Sequence, residues 1–233
     1  MKVEIWSDVM CPFCYIGKRK FENALAQFPH KEDIEVEWKS FQLDPNIVTD
    51  PSKTVYQHLS ERKGVTFERA KEMNDYVTNI ARQVGLDYKF DQAVVANSYD
   101  AHRFSHLAKN HGLQNEAEEK LFKAYFTEGK NTADVETLVK IGAEIGLEEG
   151  EIRNTLAGDD FSDEVENDIY IAQQIGVNGV PFFVLDSKYA ISGAQESTTF
   201  LAALNQAWEE HQPAKIMLAN DSEDGAFCTP ETC

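Results

Sequence analysis

Cysteine is scarce in this 233-residue chain: Cys11, Cys14, Cys228 and Cys233 are the full set. Four are too few for a disulfide framework, and a chain this long buries enough apolar surface to fold without one. Basic residues are also few, 22 Lys and Arg against 40 Asp and Glu, leaving a formal net charge of -18. Such a balance repels phosphate backbones and anionic lipid, which argues against nucleic acid and membrane surfaces as partners. No apolar run approaches the length needed to cross a bilayer. Histidine offers no constellation, because His30, His58, His106, His111 and His211 lack ligand or triad spacing with other candidates. No basic segment, apolar core and cleavage site precede the first strand-like run, which sets the expectation of a cytoplasmic protein.

What is present begins with a change of period. Residues 3–7 read as a strand running directly into a helix over 12–28, where Ile16, Phe21, Ala24, Leu25 and Phe28 recur at helical spacing before Pro29. Ile34, Val36 and Trp38 then alternate with charged residues, the pattern of a strand with one wet face. From residue 50 to 176 the stripes are helical, as in Phe67, Ala70, Met73, Val77, Ile80 and Val84, with Gly85, Gly112, Gly129, Gly146 and Gly176 as stops. Five or six helices are predicted there. An apolar run from Val180 to Leu185, the turn pair Asp186-Ser187 and Tyr189 to Ser192 predict an antiparallel hairpin. A last helix over 197–210 buries Phe200, Leu201, Leu204 and Trp208, and an acidic tail follows.

The chemistry concentrates at Cys11-Pro12-Phe13-Cys14. A strand-to-helix junction puts unpaired backbone N–H groups and the positive end of the helix dipole beside the first cysteine, which favours negative charge on its sulfur. Pro12 suits the first helical position, where its missing N–H has no partner to lose. Cys14 lies one turn along the same helix face, close enough to attack a mixed disulfide, so Cys11 is read as nucleophile and Cys14 as resolving thiol. The two cysteine pairs are unequal and far apart, and Pro12 directly after Cys11 suits a redox helix better than a zinc knuckle. No metal or cofactor is expected.

The element order, strand, helix, strand, helical block, hairpin, helix, is that of a thioredoxin fold interrupted by a helical insertion. The expected class is therefore α/β, a thioredoxin-like fold with a large inserted all-helical subdomain. The expected division is a discontinuous thioredoxin-like domain over 1–49 and 177–210, the insertion over 50–176, and a tail over 211–233 carrying the second cysteine pair.

The run Asp8-Val9-Met10-Cys11-Pro12-Phe13-Cys14-Tyr15-Ile16-Gly17, together with Gly176-Val177-Asn178-Gly179-Val180-Pro181-Phe182-Phe183, resembles the DsbA-like thioredoxin family, in particular its cytoplasmic FrnE-like branch. The resemblance spans essentially the whole chain and implies a disulfide oxidoreductase or isomerase acting on protein or small-molecule disulfides and thiols, glutathione included. It also implies a cis bond between Val180 and Pro181, packed against the dithiol, with the backbone at Val180 offered to a substrate peptide. Without the resemblance the bond would be taken as trans, since only about one X–Pro bond in twenty is cis. One departure stands out: where relatives carry a buried acid in the strand before the first cysteine, this chain has Ile5. Proton handling then falls to water or to Asp8, for which a role as helix cap is the stronger reading.

The tail Cys228-Thr229-Pro230-Glu231-Thr232-Cys233 also looks like the C-x-x-x-x-C ending of FrnE-like proteins, and Cys228 and Cys233 are expected to exchange with Cys11 and Cys14 or to tune access to them. The stretch from Asn97 through His102 and Arg103 resembles the part of the insertion that faces the thioredoxin domain, which implies a substrate cleft; helix capping by Asn97 and a structural histidine are the equal alternative. Two rivals remain in view. One is a glutathione-dependent transferase or isomerase of the kappa-class or 2-hydroxychromene-2-carboxylate isomerase type, disfavoured by the retained Cys14. The other is a non-enzymatic binder of unfolded chains.

Overall fold

Strand β1 (Lys2–Ser7) is where both ends of the described chain meet, in a computed structural model that describes residues 1–211. The chain leaves β1 through helix α1 (Pro12–Gln27) and returns as β2 (Glu35–Ser40), parallel to β1 with Ile5 opposite Trp38. On its other side β1 pairs antiparallel with β5 (Phe182–Leu185), Ile5 opposite Phe183, and β5 turns into β6 (Tyr189–Ser192). The sheet order is β2-β1-β5-β6. The hairpin turn has Asp186 and Ser187 at φ 52° and 55°, and Lys188 N–H donates to the Leu185 carbonyl at 3.0 Å. Two left-handed residues match the twist of the flanking strands.

The period of two along β1 sorts its side chains to opposite faces. Val3 and Ile5, fully buried, join Phe21, Phe183, Phe200 and Leu204 beneath α1 and α9 (Ser197–His211). Trp6 looks the other way, against Ala172 and Val177, and donates its indole N–H to the Asp168 carbonyl at 2.9 Å. Each fully buried aromatic or branched aliphatic side chain here contributes about 1.5–3 kcal/mol of hydrophobic stabilisation.

Residues 50–176 hold seven helices: α2 (Val55–Lys63), α3 (Phe67–Gln83), α4 (Tyr99–Asn110), α5 (Gln114–Phe126), α6 (Val135–Ile145), α7 (Glu149–Ala157) and α8 (Ser162–Gln174). The sequence predicts five or six. The five glycines read as stops do sit in the left-handed region, but so does Gly64, at φ 64°, which closes α2 before Thr66 caps α3. The segment is also not purely helical: β3 (Asp50–Thr54) pairs antiparallel with the two residues of β4 (Val94–Val95). Asp-Pro-Ser-Lys-Thr carries no strand pattern, and this irregular ribbon exists because the tertiary fold brings residue 95 alongside.

A buried polar knot fastens α8 and α4 to β2. Asp168, 2% exposed, accepts the Ser40 N–H at 2.9 Å and lies 3.1 Å from His106 Nε2 and 3.2 Å from Lys39 Nζ. Burial pushes the Asp168 carboxyl up, but His106, the Ser40 N–H and Lys39 together outweigh it and hold it below its ordinary 3.8. A depressed carboxylate adds stability that is present above pH 3.8 and is lost as pH falls through the folded-state value. Asp168→Asn removes the charge and leaves Lys39 and His106 facing a neutral amide. It is expected to cost about 3 kcal/mol in urea unfolding at pH 7, and to flatten the acid limb of the stability profile. An unchanged acid limb would show that the knot is not what titrates there.

Candidate active site

The reactive turn is built from its backbone upward. After β1 the chain closes a turn in which the Cys11 N–H donates to the Asp8 carbonyl at 2.9 Å, and the Cys14 N–H donates to the Cys11 carbonyl at 3.0 Å. Cys11 occupies the N-cap of α1 with extended backbone (φ -87°, ψ 111°), and Pro12 takes the first helical position. No side chain caps this helix start and no acid lies in its first turn, so no carboxylate offsets the positive end of the dipole at the Cys11 N-cap. Cys11 and Cys14 are unbridged and buried, whereas Phe13 between them is 39% exposed.

The hairpin supplies the opposing wall. The Val180–Pro181 bond is cis, as the resemblance implies, and the Cys11 thiol donates to the Val180 carbonyl at 3.4 Å. Gly17, on the buried side of α1, makes that approach possible: a Cβ there would come within 2.9 Å of Pro181 Cγ. The Pro181 carbonyl is taken by the Gly193 N–H at 2.8 Å, so the loop is held from behind as well.

The two thiols differ in environment. Burial pushes the Cys14 thiol well up, and the adjoining Cys11 sulfur adds to the shift, so negative charge on Cys14 is disfavoured. That asymmetry matches the roles of attacking and resolving thiol.

Asp8 does not cap α1. Standing three residues before the N-cap, its carboxylate reaches Met10 N–H at 3.2 Å and Leu43 N–H at 2.7 Å, tying the reactive turn to the loop after β2. Behind it sits His102, 3% exposed, with Nε2 at 3.8 Å from Asp8 Oδ1, an ion-pair separation too long for a hydrogen bond. Burial pushes the imidazolium down, but Asp8 and then Glu118 outweigh it, and His102 titrates above its ordinary 6.5. His102 thus lies against the reactive turn, while its two companions from the sequence do not. Asn97 donates to the Ile47 carbonyl at 2.9 Å and accepts the Tyr99 N–H at 2.8 Å, organising the loop after β2 at the start of α4. Arg103, 4% exposed, donates to the carbonyls of Asp160, Thr155 and Gly158 and pairs with Asp100, securing the corner between α7 and α8. Cys228 and Cys233 lie outside the described residues.

Three residues have a part at the dithiol that the sequence did not signal. Gly17 closes the run that carries the family resemblance, yet nothing in its spacing shows that it admits Pro181. Ser7, 2% exposed with its hydroxyl left without a hydrogen-bond partner, lies near Cys14 and acts to lower its pKa. Tyr88, 76 positions along the chain from Pro12, donates its hydroxyl to the Pro12 carbonyl at 2.7 Å. Only pairing at long range brings it there.

Two outcomes follow from these contacts. Gly17→Ala drives a methyl into Pro181 and is expected to cost about 1–3 kcal/mol in thermal unfolding, with slower disulfide exchange because the proline loop is displaced. A fully active, equally stable Gly17→Ala protein would contradict the close fit. For Asp8 and His102 the sign is that of a raised histidine: the pair's contribution is fully present below pH 6.5 and is lost as pH rises through the folded-state value. Asp8→Asn should therefore cost about 3 kcal/mol at pH 6, and the gap in urea unfolding should narrow as pH is raised to 9, leaving the cost of the one backbone N–H that the amide cannot accept.

The chain matches, over residues 2–205, the model of the family described as DSBA-like thioredoxin domain. The solved structure of the probable DsbA oxidoreductase SCO1869 from Streptomyces coelicolor is 39% identical and superposes with a TM-score of 0.87, covering 100% of this chain and 98% of that one. The uncharacterized protein YwbO of Bacillus subtilis is 28% identical over 215 residues, 87% of this chain and 95% of YwbO. More distantly, the cytosolic disulfide reductase DsbM of Pseudomonas aeruginosa shares the fold at 16% identity and a TM-score of 0.65, covering 90% of this chain and 100% of its own. With two unbridged cysteines at a helix start, a cis-proline opposite the first and a family match along most of its length, this chain belongs to the DSBA-like thioredoxin domain family of disulfide oxidoreductases.

Proposed function

We propose that the protein exchanges disulfides with protein and small-molecule thiols in the cytoplasm, with Cys11 as nucleophile and Cys14 as resolving thiol. The observation that carries this reading is the pairing of Cys11 at an uncapped helix N-terminus with a fully buried Cys14 behind it. In the reducing direction the Cys11 thiolate attacks one sulfur of a substrate disulfide. That S–S bond breaks, the departing thiolate takes a proton from solvent, and a mixed disulfide forms. Cys14 then loses its proton and attacks the Cys11 sulfur, releasing the second substrate thiol and leaving a Cys11–Cys14 disulfide. A thiol reductant returns the pair to the dithiol. The same steps reversed oxidise a substrate, and Cys11 alone can rearrange a disulfide within a partner.

Supporting the substrate side are the Val180 carbonyl, which faces Cys11, and the exposed ring of Phe13. An extended peptide can pair with that carbonyl while its apolar side chains rest on Phe13. Glutathione is the small thiol to test first, since a DsbM structure of the same fold was solved with GSH. The retained Cys14 disfavours a glutathione transferase or isomerase, which needs no resolving thiol. For the tail, we propose that Cys228 and Cys233 form a second dithiol that exchanges with the first.

Reduction of insulin by dithiothreitol tests the assignment. Cys11→Ser is expected to reduce the rate to the uncatalysed background, and Cys14→Ser to accumulate a mixed disulfide trapped on Cys11, visible by mass spectrometry. Catalysis that survives Cys11→Ser would sink the proposal. Removal of residues 212–233 is expected to slow recycling of the Cys11–Cys14 disulfide without abolishing the first attack; unchanged recycling would refute the tail's role.

A further inference from the structure

Tyr88 lies between α3 and β4, outside any regular element, yet is only 4% exposed. Its ring stacks on Phe126 at 4.6 Å, meets the edge of Phe90 at 5.6 Å and lies parallel to Tyr15 at 6.2 Å. The hydroxyl end reaches the carbonyl of Pro12, the peptide group that separates the two cysteines. Packing has already fixed the ring's two torsions, so the hydrogen bond demands little further ordering. Burial, followed by the charges of Cys11, Tyr15 and Cys14, raises the phenol well above its ordinary 10, so it remains a donor at any physiological pH.

We propose that Tyr88 is a positioning residue for the dithiol: its hydroxyl holds the Pro12 carbonyl and thereby lets the inserted segment bias the redox balance of Cys11 and Cys14. The inference deepens the dithiol reading above and rests on it. A carbonyl oxygen carries partial negative charge, and this one belongs to the turn that joins Cys11 to Cys14, whose sulfurs must in turn become thiolates. A phenolic O–H aimed at that oxygen brings the positive end of a dipole into a water-poor site, where screening is weak. Without it the carbonyl disfavours negative charge on Cys11, so the reduced form is less favoured and its attack slower. The bond also ties the first turn of α1 to the ring of Phe126 in α5, on which Tyr88 stacks.

The test compares Tyr88→Phe, which keeps the ring and removes only the donor, with Phe90→Leu, which loosens the same cluster and leaves the donor in place. Each purified protein is equilibrated in glutathione redox buffers, and the dithiol form is alkylated with iodoacetamide at pH 7. Tyr88→Phe is expected to shift the equilibrium about threefold toward the disulfide and to slow alkylation roughly threefold. Phe90→Leu is expected to lower the melting temperature and leave both readouts unchanged. Equilibrium and alkylation in Tyr88→Phe equal to wild type would overturn the proposal. So would an equal shift in Phe90→Leu, because packing and not the hydroxyl would then be responsible. Neither readout requires turnover of insulin, so an insulin-inactive wild type would remove the proposed function while leaving this comparison legible.

Discussion

The pairing of β1 with β5 is the constraint on which the site depends. Ile5 opposite Phe183 sets a register that carries Val180 and Pro181 to the end of β1, where Cys11 begins its helix. The two partners of that contact are 169 positions apart in the chain. Slipping β5 by one residue against β1 would turn Phe183 and Leu185 out of the core and take the proline loop off the dithiol at the same time. Stability and reactivity are thus specified by the same ladder.

Around that ladder the molecule separates two electrostatic environments within one helical turn. Cys11 sits at the N-cap of α1, where no side chain caps the helix and no acid lies in the first turn. Cys14 is driven into the interior, where charge is disfavoured, with the hydroxyl of Ser7 beside it. Asp8, which could have spoiled the arrangement by placing a carboxylate at the helix start, is instead turned toward Met10, Leu43 and His102. The inserted helices contribute from behind: His102 from α4, Tyr88 from the segment after α3, and Glu119 of α5 accepting the Tyr15 hydroxyl at 2.7 Å. The mostly helical segment between the two halves of the sheet thus backs the turn that carries the cysteines.

The strands, α1, the hairpin and α9 were legible because each carries a clean period or a turn signal of its own, as Ile34, Val36 and Trp38 or Asp186-Ser187 do. The dithiol was legible because strand, Pro12 and cysteine spacing all point to the same helix start. The β3–β4 ribbon was not, since its residues have no strand preference and pair only because the fold places them together. Asp8 was misread for a related reason. Its identity suits a cap, but which amides a carboxylate reaches depends on the turn that follows, here one that carries it to Met10 and Leu43.

By itself, then, the sequence determined the local grammar: where helices start and stop, which faces are apolar, and that one cysteine heads α1 with a second one turn behind. Tertiary structure decided which distant groups meet that cysteine. Gly17 admits Pro181, Tyr88 reaches Pro12, His102 backs Asp8 and Arg103 turns away to hold the corner after α7. The physical reason is that period and propensity are summed over near neighbours. A contact between residues 76 or 169 positions apart depends instead on strand register and on the packing of whole layers.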